Sequence, residues 1–64
     1  MITATFTVPQ VTVPADLTVA ELRREATGYM LNAHRAVSSL VEQWNQAKAD
    51  AYRAEADRRE AAAR

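Results

Sequence analysis

The sequence predicts a mainly α protein. An extended N-terminal β arm precedes one long amphipathic helix, and helices of several copies form an oligomeric bundle or coiled coil. Three observations support this fold class: apolar and polar residues alternate near the N terminus, a helix-capping pattern follows, and no proline occurs after Pro14. The predicted regions are the β arm at 1–15, the amphipathic assembly helix at 16–47 and a charged, alanine-rich helical tail at 48–64.

Size and composition limit what the chain can be. Sixty-four residues make one domain with a small core, and without cysteine neither a disulfide nor a thiolate metal site can stabilise it. Eight acidic and eight basic side chains cancel, so no net field attracts nucleic acid or an anionic membrane. Because the sequence shows neither a signal-peptide pattern nor an apolar run that could span a bilayer, we expect an intracellular, soluble protein or one incorporated in a particle.

The β arm is predicted from strict alternation of apolar residues with threonines over 2–8, the pattern of a strand with one apolar face. A strand needs a partner, and the rest of the chain has the pattern of a helix. The apolar face, which is the predicted strand interface, consists of Ile2, Ala4, Phe6 and Val8.

Three partners for the arm remain open. A hairpin that turns at Pro9–Gln10 would place Val8 opposite Val11 and Phe6 opposite Val13, although the fixed φ of proline does not suit the primed turns of tight hairpins. The arm could instead pair with the same strand of a second copy, or add to the sheet edge of a different protein. We therefore expect the partners to be the protein itself, another protein reached by strand addition, or both.

The start of the helix is the best-defined local feature. Thr18 and Glu21 have the spacing of a capping box, in which each side chain accepts a hydrogen bond from the backbone N–H of the other residue. Leu17 and Leu22 have the spacing of a hydrophobic staple across this cap. Asp16 is a competing N-cap, so the predicted boundary carries an uncertainty of two residues.

An apolar stripe about 120° wide runs along the predicted helix, as expected for a helix that packs in a bundle. An a/d ladder can be read from Met30 onward, and it tapers from large side chains to alanine. Trp44 is the most informative member, either as an anchor of the bundle or as a hot spot for a partner. The predicted helix interface consists of Leu22, Ala26, Met30, Ala33, Val37, Leu40, Val41, Trp44 and Ala47.

Gly28 is the only glycine and the candidate position for a bend in the helix. The stripe keeps its phase through this residue, which favours a continuous helix that is locally weakened by about 1 kcal/mol relative to alanine. Beyond residue 47 the charges form pairs three or four residues apart, such as Glu55 with Arg58 and Arg59. We therefore expect the tail to be a solvated helix.

The sequence contains no arrangement of residues that predicts catalysis, a cofactor or a metal site. The only histidine, His34, has no metal ligand or carboxylate at helical spacing, so a packing role is expected. Ser38 and Ser39 lack a positioned base, which argues against a nucleophile. The protein is therefore predicted not to be an enzyme.

Residues 11–28 resemble the ribbon-helix-helix repressors in outline. VTVPADLTVAELRREATG has a short β segment, a proline, leucines, and Gly28 where that family turns into its second helix. The resemblance implies a DNA-binding dimer. It covers about eighteen residues, the sequence after Gly28 does not keep the family's phase, and the arm has no basic residue for phosphate contacts.

These observations predict a non-enzymatic structural or assembly protein that packs through a helix face and docks through its N-terminal strand. A component of a larger particle, such as a phage virion, fits this description. The alternative is a small regulator, either a ribbon-helix-helix-like DNA-binding dimer or an antitoxin-type inhibitor. Nucleic acid is not expected as a partner, and no membrane partner is expected.

Overall fold

The computed structural model describes residues 10–64, and in this part the chain forms two α-helices and no β-strand. Helix α1 spans Val19–Arg35 and helix α2 spans Ser39–Ala62. The two helices pack along each other as a helical hairpin, so the prediction of a mainly helical chain is confirmed. The predicted strand interface lies outside the described residues, and oligomerisation stays a prediction.

The expectation of one long helix is wrong, because the chain leaves the helical conformation at residues 36–38. Ala36 has φ −66° and ψ 136° and ends α1. Ser38 is also extended, and its side chain accepts a hydrogen bond from the N–H of Val41 at 3.2 Å, which makes it the N-cap of α2. This cap satisfies a helix-end donor, and His34 and Arg35 place basic side chains at the C-terminal end of α1.

Gly28 does not bend the chain. It lies within α1, its φ is not positive, and nothing approaches within 4 Å of the position that a Cβ would occupy. The turn that the ribbon-helix-helix resemblance implies at Gly28 is therefore absent, and the reversal of the chain comes eight residues later, at 36–38.

The predicted capping box is confirmed. Glu21 Oε1 accepts from the Thr18 N–H at 2.9 Å, and Thr18 Oγ1 accepts from the Glu21 N–H at 3.1 Å. The backbone hydrogen bond to Thr18, with the side-chain hydrogen bond to the same residue, lowers the pKa of Glu21. Leu17 packs against the cluster that contains Leu22, as expected for a staple across the cap.

The core lies between the helices, towards the end where α1 begins and α2 ends. Leu22 and Ala26 of α1 form a cluster with Tyr52 and Ala56 of α2, and all four are buried. Nearer the connection, Ala33 and Ala49 are also buried. Because most of these residues are alanine, the hairpin buries few large side chains, and Leu22 is the largest one fully buried.

The break at 36–38 changes which face of α2 is buried. The predicted ladder continued through Ala47, Ala51 and Ala54, whereas the fully buried alanines of α2 are Ala49 and Ala56. A second helix starts with its own rotation, so the phase of a pattern carried over from α1 does not apply to it. The tail is consequently not a solvated helix but half of the hairpin core.

A segment without regular structure, residues 10–17, lies against the two helices and precedes the cap. Val11, Val13 and Leu17 are half-buried and pack against the core cluster. Arg59 of α2 fixes this segment, because its guanidinium donates hydrogen bonds to the carbonyl of Leu17 and, at 3.2 Å, to that of Pro14. The N-terminal segment is thus a third layer of the structure.

Candidate interaction surfaces

The structure divides the nine residues of the predicted helix interface into two groups. Those of α1 belong to the hairpin core: Leu22, Ala26 and Ala33 are buried and Met30 is half-buried. Those of the connection and of the first turns of α2 are exposed, with the exception of the half-buried Ala47. The predicted stripe is therefore not one continuous surface, and its role in contacts between copies stays a prediction.

The exposed group forms what we call the loop-end surface: Val37, Leu40, Val41 and Trp44. Leu40, Val41 and Trp44 share one face of α2 because they are three and four residues apart. Their exposed fractions are 42%, 44% and 40%, and Val37 in the connection is fully exposed. Single exposed apolar residues are ordinary, but a contiguous group of large ones is typical of a contact surface.

A groove borders this surface, between the N-terminal segment and α2. It has a volume of about 380 Å³. Because the lining includes three aromatic rings, we call it the aromatic groove. Its lining residues are Gln10, Val11, Thr12, Tyr29, Trp44, Lys48 and Tyr52.

The side chains of the aromatic groove are held by contacts between the helices. The rings of Tyr29 and Tyr52 lie with centroids 5.2 Å apart at an angle of 59°, the tilted arrangement that aromatic pairs prefer. Lys48 Nζ lies 5.4 Å from the centroid of the Tyr29 ring, in cation–π range. Burial, followed by the hydrogen bond with Tyr29, raises the pKa of Tyr52. The groove is therefore preformed, with one cation at its edge.

The opposite end of the hairpin is charged, and its ion pairs connect the two helices. Arg23 of α1 contacts Glu60 at 2.5 Å and Asp57 at 2.9 Å, both on α2. These carboxylates, Glu60 before Asp57, raise the pKa of Arg23. The side chains are about half exposed, so the pairs stabilise the hairpin only modestly. These ion pairs link the first turns of α1 to the last turns of α2.

Glu55 is the centre of a second charged group at this end. Its carboxylate contacts Arg58 at 2.5 Å and Arg59 at 2.8 Å. Hydrogen bonds from Arg58 and then from Arg59 lower the pKa of Glu55 from 4.5 to about 2. Glu55 also orients Arg59 towards the carbonyls of the N-terminal segment. Sequence spacing predicts the two ion pairs within α2. It does not predict the hydrogen bonds of Arg59 to Leu17 and Pro14, which lie 42 and 45 positions earlier in the chain.

A small cavity of about 170 Å³ near the connection is lined by Ala33, His34, Glu42 and Gln46. Within residues 10–64 no three side chains of the metal-binding types come together as a potential metal site. In the same part of the chain neither helix combines the length and the apolar character that crossing a membrane requires.

Several residues that build these surfaces were not expected from the sequence. The spacing of Ala49, Tyr52 and Ala56, three and then four residues, is typical of a buried helix face. Alanine is too weakly apolar, however, to show by itself which face of a helix is buried. The role of Arg59 has no sequence signal, since it depends on two carbonyl groups of a distant segment. No protein-family model, no curated protein and no solved structure matches the chain.

Proposed function

We propose that the protein is a non-enzymatic assembly protein that binds a second copy of itself through the loop-end surface. The observation that carries the proposal is the exposure of Leu40, Val41 and Trp44 on one face of α2, next to the fully exposed Val37. These are the largest apolar side chains of that part of the hairpin. In the hairpin itself they lie outside the buried core cluster of Leu22, Ala26, Tyr52 and Ala56.

Two physical arguments favour a second copy as the occupant. A hairpin of two helices is half of a four-helix bundle, the arrangement in which a remaining apolar face is buried against an identical hairpin. A surface that carries no charge can also pair with itself about a two-fold axis without repulsion. The equal numbers of acidic and basic residues add no net repulsion between copies.

The test is the native mass in solution, measured by light scattering on a sizing column. We expect the wild-type chain to have a multiple of its 7.1 kDa monomer mass, and Leu40→Asp to be a monomer with unchanged helix content by circular dichroism. Leu31→Asp is the matched control, because Leu31 is a similarly exposed leucine on α1. A wild-type chain that is monomeric at all concentrations, or a Leu40→Asp chain that stays oligomeric, would contradict the proposal.

The setting in a larger particle, such as a phage virion, is part of the same proposal and rests on the exposed apolar surface. The regulator alternative has no specific observation in its favour. α1 continues through Gly28, and Arg23, Arg58 and Arg59 are engaged with carboxylates rather than directed at a phosphate backbone.

A further inference from the structure

The aromatic groove opens beside the point where the described part of the chain begins. Gln10, Val11 and Thr12 form one of its walls, and α2 contributes Trp44 and Lys48 on the other side. Residues 1–9 are joined to Gln10 and lie outside the described residues, so only their sequence enters the argument. A segment tethered by a short link at the wall of a groove has an effective concentration there in the millimolar range.

The orientation of the N-terminal segment indicates which side of the preceding residues would face the groove. Val11 and Val13 are half-buried and pack on the core cluster, whereas Gln10, Thr12 and Pro14 are exposed. If the chain reverses at Pro9–Gln10, the residues opposite Val11 and Val13 are Val8 and Phe6, and they face the helices on the same side. In that arrangement Thr7, which lies between them, is on the opposite side of the arm.

The chemistry of the groove fits a phenylalanine on an uncharged strand. The tilted pair of Tyr29 and Tyr52 offers ring faces and edges to a third ring. Residues 1–15 contain no charged side chain, so entry of this segment would bury no charge. Most of the lining of the groove is apolar or aromatic, and its one cation, Lys48, is already placed over a ring.

We propose that the aromatic groove binds residues 6–8 of the same chain, with Phe6 as the anchor between the N-terminal segment and α2. The occupant covers one side of Trp44. Leu40 and Val41 are not part of the groove lining and remain for the contact with a second copy. The inference does not rest on the proposed function, since its occupant belongs to the same molecule and the groove shares only Trp44 with the loop-end surface.

Nuclear magnetic resonance tests the proposal directly on the full chain, because its aromatic signals are few. The sequence has one phenylalanine, one tryptophan and two tyrosines. We expect nuclear Overhauser effects between the ring protons of Phe6 and those of Tyr29 or Tyr52. In an equal mixture of isotope-labelled and unlabelled chains, these effects are expected within a chain and not between chains.

A matched pair of variants adds a second readout. Phe6→Ala is expected to shift the emission of Trp44 to longer wavelength, because the indole becomes more exposed. Thr5→Ala, on the opposite side of the arm, is expected to leave the emission unchanged.

Each other outcome overturns the proposal. Contacts of Phe6 found only between labelled and unlabelled chains would assign the groove to the arm of a second copy. The absence of any contact between Phe6 and the groove rings, or an unchanged emission in Phe6→Ala, would leave the groove without this occupant. None of these results affects the test of the loop-end surface, which depends on the native mass of Leu40→Asp.

Discussion

The two ends of the hairpin use their side chains in opposite ways. At the end where α1 begins and α2 ends, Leu22 is fully buried and ion pairs join the helices. At the connection, Leu40, Val41 and Trp44 are large and apolar but about two-fifths exposed. A large apolar side chain can therefore be buried or exposed in this molecule. Which of the two it is depends on whether the other helix packs against it.

This difference also separates stability from binding. The charged end contains the largest fully buried side chain and the Arg59 contacts, so substitutions there should mainly change the free energy of unfolding. The connection end contributes little buried area, so substitutions there should mainly change association. Three predictions test this division, from the largest expected effect to the smallest.

The largest effect is expected for Leu22→Ala. Removing a fully buried leucine leaves a cavity and lowers the free energy of unfolding by about 2–5 kcal/mol. Leu40→Ala at the other end is the matched control, and a substitution at an exposed site is expected to change the free energy by about 0.5 kcal/mol or less. Urea unfolding followed by circular dichroism, at a concentration where both chains are monomeric, measures the two values. Equal losses would contradict the division.

A smaller effect is expected for Arg59→Ala. This variant loses the hydrogen bonds to the carbonyls of Leu17 and Pro14 and the pair with Glu55, which together contribute about 1–2 kcal/mol. Arg53→Ala is the control, since the side chain of Arg53 on the same helix donates one hydrogen bond among the described residues, to the sulfur of Met30 at 3.7 Å. Thermal unfolding of the two variants measures the difference. If both have the same midpoint, Arg59 does not fix the N-terminal segment.

The smallest effect is a pH dependence from Glu55. Its pKa is about 2 in the folded chain, below its ordinary value of 4.5. The stability that it contributes is therefore present above pH 4.5 and is lost as the pH falls from 4.5 towards 2. In Glu55→Gln this part of the pH dependence should be absent, while Glu25→Gln should retain it. Unfolding midpoints measured across this range would contradict the assignment if the wild type and Glu55→Gln changed in parallel.

The prediction from sequence succeeded where the interaction is local. The capping box of Thr18 and Glu21 depends on residues three apart, and so do the hydrogen bonds between Glu55 and Arg58. It failed at Ser38, which lies within the predicted helix at 16–47 but is the N-cap of α2. Serine is a preferred N-cap residue but also occurs on helix surfaces, so its residue type alone did not decide where α2 begins.

The sequence by itself determined that the chain is mainly helical, that α1 begins after Thr18, and that its apolar face includes Leu22, Ala26 and Ala33. These properties follow from periodicity and capping, which act over one or two turns. The tertiary structure alone decided the reversal at 36–38, the rotation of α2 that buries Tyr52, and the contact of Arg59 with the N-terminal segment. Each of these depends on how two distant parts of the chain meet, and the free energy of such contacts is not encoded in the spacing of neighbouring residues.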